Sequence, residues 1–171
     1  MSIDSLKVVA AILPAILLTV SCDGSNDSVC SPSWWPSVVE EPPDIGTVPD
    51  TIEVEGTGLY LSCDLWRNFM PPVCSDCSRL AAYAGIIDCD SVSVPRSVDP
   101  RCIWVLNGEE TWASGFSDEI LPSNYPYVTL RIARCGPKWE TGIPVDVIVK
   151  IKSGDDVYFL RKRGVRIMRV E

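Results

Sequence analysis

Cys74 and Cys77, two residues apart in Cys74-Ser75-Asp76-Cys77, are the pair whose type and spacing bear most directly on chemistry in this 171-residue chain. A C-x-x-C pair at a helix N-terminus has its first thiol acidified, because helix amides and dipole favour the thiolate, and such a pair exchanges disulfides. In that role Cys74 attacks and Cys77 resolves. An absence narrows the remaining chemistry: the chain has no histidine. The usual general base, the usual zinc ligand and the Ser-His and Cys-His catalytic arrangements are thereby excluded. Carboxylates are many, and none is singled out by its surroundings as half of a hydrolytic pair. Cys63, Cys74, Cys77 and Cys89 have a spacing that zinc accepts, but an oxidising compartment favours bridging over metal binding. The reading is therefore no metal and no cofactor.

Eight cysteines occur, at positions 22, 30, 63, 74, 77, 89, 102 and 135. In an exported domain cysteines are read first as a disulfide framework. Cys30, Cys63, Cys74, Cys77, Cys89, Cys102 and Cys135 are the disulfide candidates. Their connectivity is not deducible from spacing, and a bridge closing a long loop stabilises by about 2–4 kcal/mol.

Export is the expectation set by the N-terminus. Residues Val8 to Val20, VVAAILPAILLTV, carry no charge and end just before Ser21 and Cys22. The run is shorter than the roughly 20 apolar residues of a membrane-spanning helix and matches the core of a signal peptide. Leu18-Thr19-Val20-Ser21-Cys22 resembles a bacterial lipoprotein signal, in which a small residue precedes a cysteine that is acylated and becomes the new N-terminus. The resemblance implies residues 1–21 as signal peptide, Cys22 as the lipidation site, and a cell-envelope location on a membrane anchor. Each buried methylene of such an anchor contributes about 0.8 kcal/mol. The alternative is plain secretion after cleavage near Ser21. Parity distinguishes the two: lipidated Cys22 leaves an odd cysteine among the other seven.

Residues 22–50 are rich in Ser, Asp and Pro, with Glu40-Glu41-Pro42-Pro43 as the stiffest part, and are expected to form a flexible tether. The formal charge is −8 and is unevenly placed. Residues 22–130 carry four basic and seventeen acidic side chains, a net of −13, whereas residues 131–171 carry ten basic and five acidic, a net of +5. A basic C-terminal third suits an anionic surface, a membrane or a cell-wall polymer, or it neutralises the acidic part of the same domain. An acidic, exported chain is not a nucleic-acid binder. A protein or a cell-wall polymer remains as partner.

From Thr51 onward the hydrophobic period is mostly two. Leu59, Leu61, Cys63 and Leu65 alternate with polar neighbours, as do Val145, Val147, Val149 and Ile151. Asn107-Gly108 and Ser153-Gly154-Asp155-Asp156 read as hairpin turns, and Gly164 separates a last strand. One short helix is expected after Cys77, with Ser78 or Asp76 as cap, Leu80, Tyr83 and Ala84 on one face, and Gly85 as the stop. Strand, C-x-x-C and helix in that order resemble the start of a thioredoxin-like domain, which implies thiol–disulfide oxidoreductase activity. The region from Arg96 to Pro126 lacks the amphipathic helices of that fold. Gly56 to Cys63, Ile103 to Gly108 and Tyr127 to Ile132 resemble strands of an immunoglobulin-like domain, with Trp104 as its buried tryptophan. The expectation is a mainly β domain over residues 51–171: an antiparallel β-sandwich with one short helix, disulfides and a Cys-rich insertion at about 67–100. Its expected role is binding or structural, with the Cys74–Cys77 redox enzyme as alternative.

Overall fold

The computed structural model describes residues 40–70, 78–117 and 124–171. Cys22, Cys30, Cys74 and Cys77 lie outside these residues, as does the expected signal segment. The described part is mainly β: β1 (Thr51–Val54), β2 (Thr57–Asn68), β3 (Leu80–Asp88), β4 (Val98–Asn107), β5 (Glu110–Gly115), β6 (Val128–Ala133), β7 (Pro144–Ser153) and β8 (Asp156–Val170). They form one mixed sheet in the order β5-β4-β7-β8-β2-β3-β6, with β1 on β2.

Turn chemistry sets the local pairings. Glu55 and Gly56, both at positive φ (51° and 77°), make the two-residue turn that joins β1 to β2. Asn107 pairs with Glu110 across the expected hairpin turn, with Gly108 at φ 62°. Ser153 pairs with Asp156 across the other, with Gly154 at φ 60°.

Two expectations are corrected. First, the expected short helix is strand β3, and no helix occurs among the described residues. The Ala-rich sequence LAAYAGIID mimics helical spacing, but β3 lies between β2 and β6 and is buried on both faces along most of its length. Small side chains suit that position: a Cβ added at Gly85 would lie 3.2 Å from Leu130 Cδ2. Tertiary pairing outweighs the local preference. Second, pairing is not wholly antiparallel: Leu65–Asn68 of β2 run parallel to Ile167–Val170 of β8.

The sheet is curled, and the inner faces of its two halves share one core. Leu59, Leu61 and Leu65 of β2 and Ala82, Ala84 and Ile86 of β3 pack in the same cluster as Ile103 and Val105 of β4 and Val147, Val149 and Ile151 of β7. The edges come together beyond β5, where the Ser117 N–H donates to the Ile132 carbonyl of β6 at 3.1 Å. Trp112 and Phe116 are buried there, 9% and 5% exposed. Arg67 ties the end of β2 to its neighbours, donating to the Ser78 carbonyl at 2.6 Å and the Trp139 carbonyl at 2.7 Å.

Two bulges decide which side chains face that core. Arg101 is an extra residue on β4 opposite β7, next to Pro100, which has no N–H to give a ladder. Because strand period is two, one extra residue exchanges the faces. Cys102 and Trp104 consequently pack on the outer side with Ile148 and Val48, away from the main core. Trp104 is fully buried, as the immunoglobulin likeness implied, but under residues 40–48 and not between two sheets. Its Nε1 donates to the Glu40 carbonyl at 3.1 Å. The last part of the expected tether is therefore packed on the sheet. Val48, 4% exposed, gives it an apolar anchor that its Pro- and acid-rich composition concealed.

Candidate functional site

The second bulge builds the site. Between Val145 and Val147 of β7, strand β8 advances from Val165 to Lys162, one residue more than its partner. Gly164 sits in this bulge at φ 65°, a conformation that L side chains adopt at a cost, and its N–H donates to Asp146 Oδ1 at 2.9 Å. The expected separate last strand is thus the continuation of β8, bent at Gly164. Past the bend, Val165 and Arg166 still pair with β7, and from Ile167 on β8 joins β2 at Leu65. β1 occupies the same edge of β2 only as far as Tyr60. Residues 61–64 of β2 have neither partner on that side, and a cleft opens at this gap.

The cleft holds about 360 Å³. It is lined by Asp50, Thr51, Tyr60, Leu61, Arg161, Lys162 and Arg163. Three cations face one carboxylate, a local net of +2 in a chain of net −8.

Arg161 is held rigidly. Its Nε donates to Asp50 Oδ1 at 2.9 Å, its Nη1 to the Ile45 and Gly46 carbonyls at 2.6 and 3.2 Å, and its backbone N–H to the Pro49 carbonyl at 3.1 Å. Asp44 shapes the loop presenting those carbonyls, accepting from Gly46 N–H at its carboxylate and from Thr47 at its carbonyl. The hydrogen bond from Arg161 holds the Asp50 carboxyl below its usual range, and Asp50 in turn raises Arg161. The Lys162 ammonium makes no hydrogen bond or ion pair with any described residue, and the Arg163 guanidinium reaches the Ile45 carbonyl, at 3.4 Å. Fixed Arg161 and unengaged Lys162 suit an anionic ligand.

The cysteines form no site among the described residues. Cys63, Cys89 and Cys102 carry free thiols, and Cys135 is disulfide-bonded. Cys63 lies on the inner side of β2, Cys89 beside Gly58, and Cys102 on the outer face of β4. Burial raises the Cys63 thiol, aided by Asp64, and pushes Cys102 up to about 11, so both stay protonated and unreactive. Cys22, Cys30, Cys74 and Cys77 lie outside the described residues. The redox reading has lost the helix that was to activate Cys74, since Leu80 begins a strand. No group of three or more potential metal ligands converges among the described residues. The aromatics Trp112 and Phe116 belong to the closure of the sheet.

Sequence reasoning noticed the basic C-terminal third but not the cleft. The available signal was Arg161-Lys162-Arg163-Gly164, a cation run ending on a glycine inside a strand pattern. Comparison with protein-family models, curated proteins and solved structures gives no match.

Proposed function

We propose that this is an envelope-attached binding protein, exported by its N-terminal signal, lipid-anchored through Cys22, and engaging an anionic partner at the Arg161–Arg163 cleft. In this reading the two halves of the curled sheet act as the layers of a sandwich-like scaffold, and its role is binding and not catalysis. The single observation that supports it most is the cationic cleft in an otherwise acidic chain, since a local field opposite to the net charge concentrates anions at that point. The apolar run ending at Cys22 supports the location.

The test is co-sedimentation of the full chain, kept in neutral detergent so that its acyl chains do not insert, with detergent-washed envelope material, beside the intact mass of the mature protein. The expected result is an acylated chain beginning at Cys22 that the Lys162→Glu/Arg163→Glu variant releases. A chain retained equally by both forms would remove the cleft from the reading. An unlipidated mature chain would replace the anchor by secretion.

A further inference from the structure

We infer that the ligand group recognised in the Arg161–Arg163 cleft is a phosphoryl group, as a free phosphate ester or as part of a lipid headgroup. The inference rests on the binding reading above and names the chemistry of its partner.

Four observations carry it. The cleft supplies donors of the two kinds that phosphate oxygens accept: guanidinium and ammonium from Arg161, Lys162 and Arg163, and hydroxyls from Thr51 and Tyr60. Its lining carries a net charge of +2, lowered by neighbouring Asp146 but still opposite in sign to a phosphate monoester, which carries about −1.5 to −2 at neutral pH. Arg161 is preorganised. Nε and Nη1 are engaged by Asp50, Ile45 and Gly46, while Nη2 has no partner among the described residues. A guanidinium already held in place loses little freedom on binding. Finally, the carboxylate of the lining, Asp50, is paired with Arg161, which leaves Lys162 and Arg163 without an ion pair among the described residues; Asp146, which accepts from the Gly164 N–H, keeps its own charge near Arg161. A single carboxylate ligand would satisfy fewer of these donors than the three terminal oxygens of a phosphate monoester.

The test is a titration of the full chain, purified in neutral detergent, followed through the backbone amide resonances of Thr51, Tyr60, Lys162 and Arg163. The soluble probes are glycerol 3-phosphate and inorganic phosphate, with sodium chloride at equal ionic strength as control. Saturable shifts with both phosphates and not with chloride are expected. Lys162→Ala/Arg163→Ala should weaken binding by about tenfold or more, through loss of charge-assisted hydrogen bonds. The same titration with phosphatidylglycerol and with phosphatidylcholine, each dispersed in the detergent micelles, separates the sources. Shifts at these amides with the former alone, competed by glycerol 3-phosphate, assign the headgroup; shifts with the soluble phosphates alone assign a free ester. Shifts no larger than with chloride, unchanged affinity in the double variant, or lipid-induced shifts that glycerol 3-phosphate does not compete would each overturn the inference. If phosphate fails while Lys162→Glu/Arg163→Glu still releases the chain from envelope material, the binding reading stands with a different anion. If both fail, both fall.

Discussion

The outer faces of the two halves of the sheet handle the same problem differently. On the β4–β7 half, Trp104 and Ile148 point away from the main core yet are both 0% exposed, because residues 40–48 cover them. On the β2–β3 half, Tyr60 and Tyr83 remain 36% exposed, and Trp66 packs against Tyr83 with ring centroids 4.4 Å apart. One face is sealed by a segment of chain, while the other shields its aromatics by stacking and leaves part of each in water. Apolar area fully removed from water contributes far more than area half removed. The sealed face should therefore bear stability and the open face should tolerate change.

Truncating one tryptophan on each face is the strongest way to break this comparison. Trp104→Ala should destabilise by about 3–5 kcal/mol, the cost of deleting a large buried aromatic. Trp66→Ala should cost about 1 kcal/mol, mainly the lost ring pair. Urea unfolding of the two variants measures both, and equal losses would end the distinction. Where the halves meet, Gly136 is squeezed between them: an added Cβ would lie 2.8 Å from Trp112 and 2.9 Å from Leu80 Cβ. Gly136→Ala should cost about 1–3 kcal/mol by overpacking, read as a lowered urea midpoint.

Gly164 marks the handover of β8 from one half to the other. Gly164→Ala forces an alanine to φ 65° and should cost about 1–2 kcal/mol. Because nothing else crowds the position, the loss should come with weakened phosphate binding at the neighbouring cations.

The smallest effect separates two carboxylates, Asp88 at the end of β3 and Asp50 just before β1. Asp88 accepts from the backbone N–H groups of Asp90, Val92 and Ser93 at 3.0, 2.8 and 2.9 Å, and these bonds depress its pKa. Asp50 is depressed chiefly by Arg161. A carboxyl with a lowered folded pKa contributes stability above its unfolded value, and the contribution is lost as pH falls through the folded value. Both contributions should therefore disappear on acidification below the ordinary carboxylate range. Salt distinguishes them, since a Debye length of about 3 Å at ~1 M screens an exposed ion pair but leaves short backbone hydrogen bonds intact. At high salt, Asp50→Asn should no longer alter the pH profile of the urea midpoint, while Asp88→Asn still should. Equal salt sensitivity would mean that Asp88, too, acts through charge.

Much of the β architecture was legible where information is local. The alternation in β2 and β7 and the turns at Asn107-Gly108 and Ser153–Asp156 coincide with the observed strands and hairpins. A period of two and a turn residue at positive φ are properties of a few neighbouring residues. Strand β3 was not legible, because alanine-rich spacing satisfies helix and buried strand alike until β2 and β6 are placed beside it. The cleft was half legible: its cations are a visible run, but the gap they line depends on the chain 100 residues earlier.

The sequence by itself determined a mainly β chain with strong alternation, two identifiable hairpins, no histidine chemistry, an uneven charge and an apolar N-terminal run ending at Cys22. Only the tertiary structure decided that Ala-rich Leu80–Asp88 is an interior strand, that β2 and β8 run parallel, that Trp104 seals an outer face, and that Arg161, Lys162 and Arg163 share one cleft. The reason is common to all four. Strand register and face are set by pairing between distant segments, and a single bulged residue, Arg101 in β4 or the extra residue at Gly164 in β8, exchanges inside for outside without altering the local pattern.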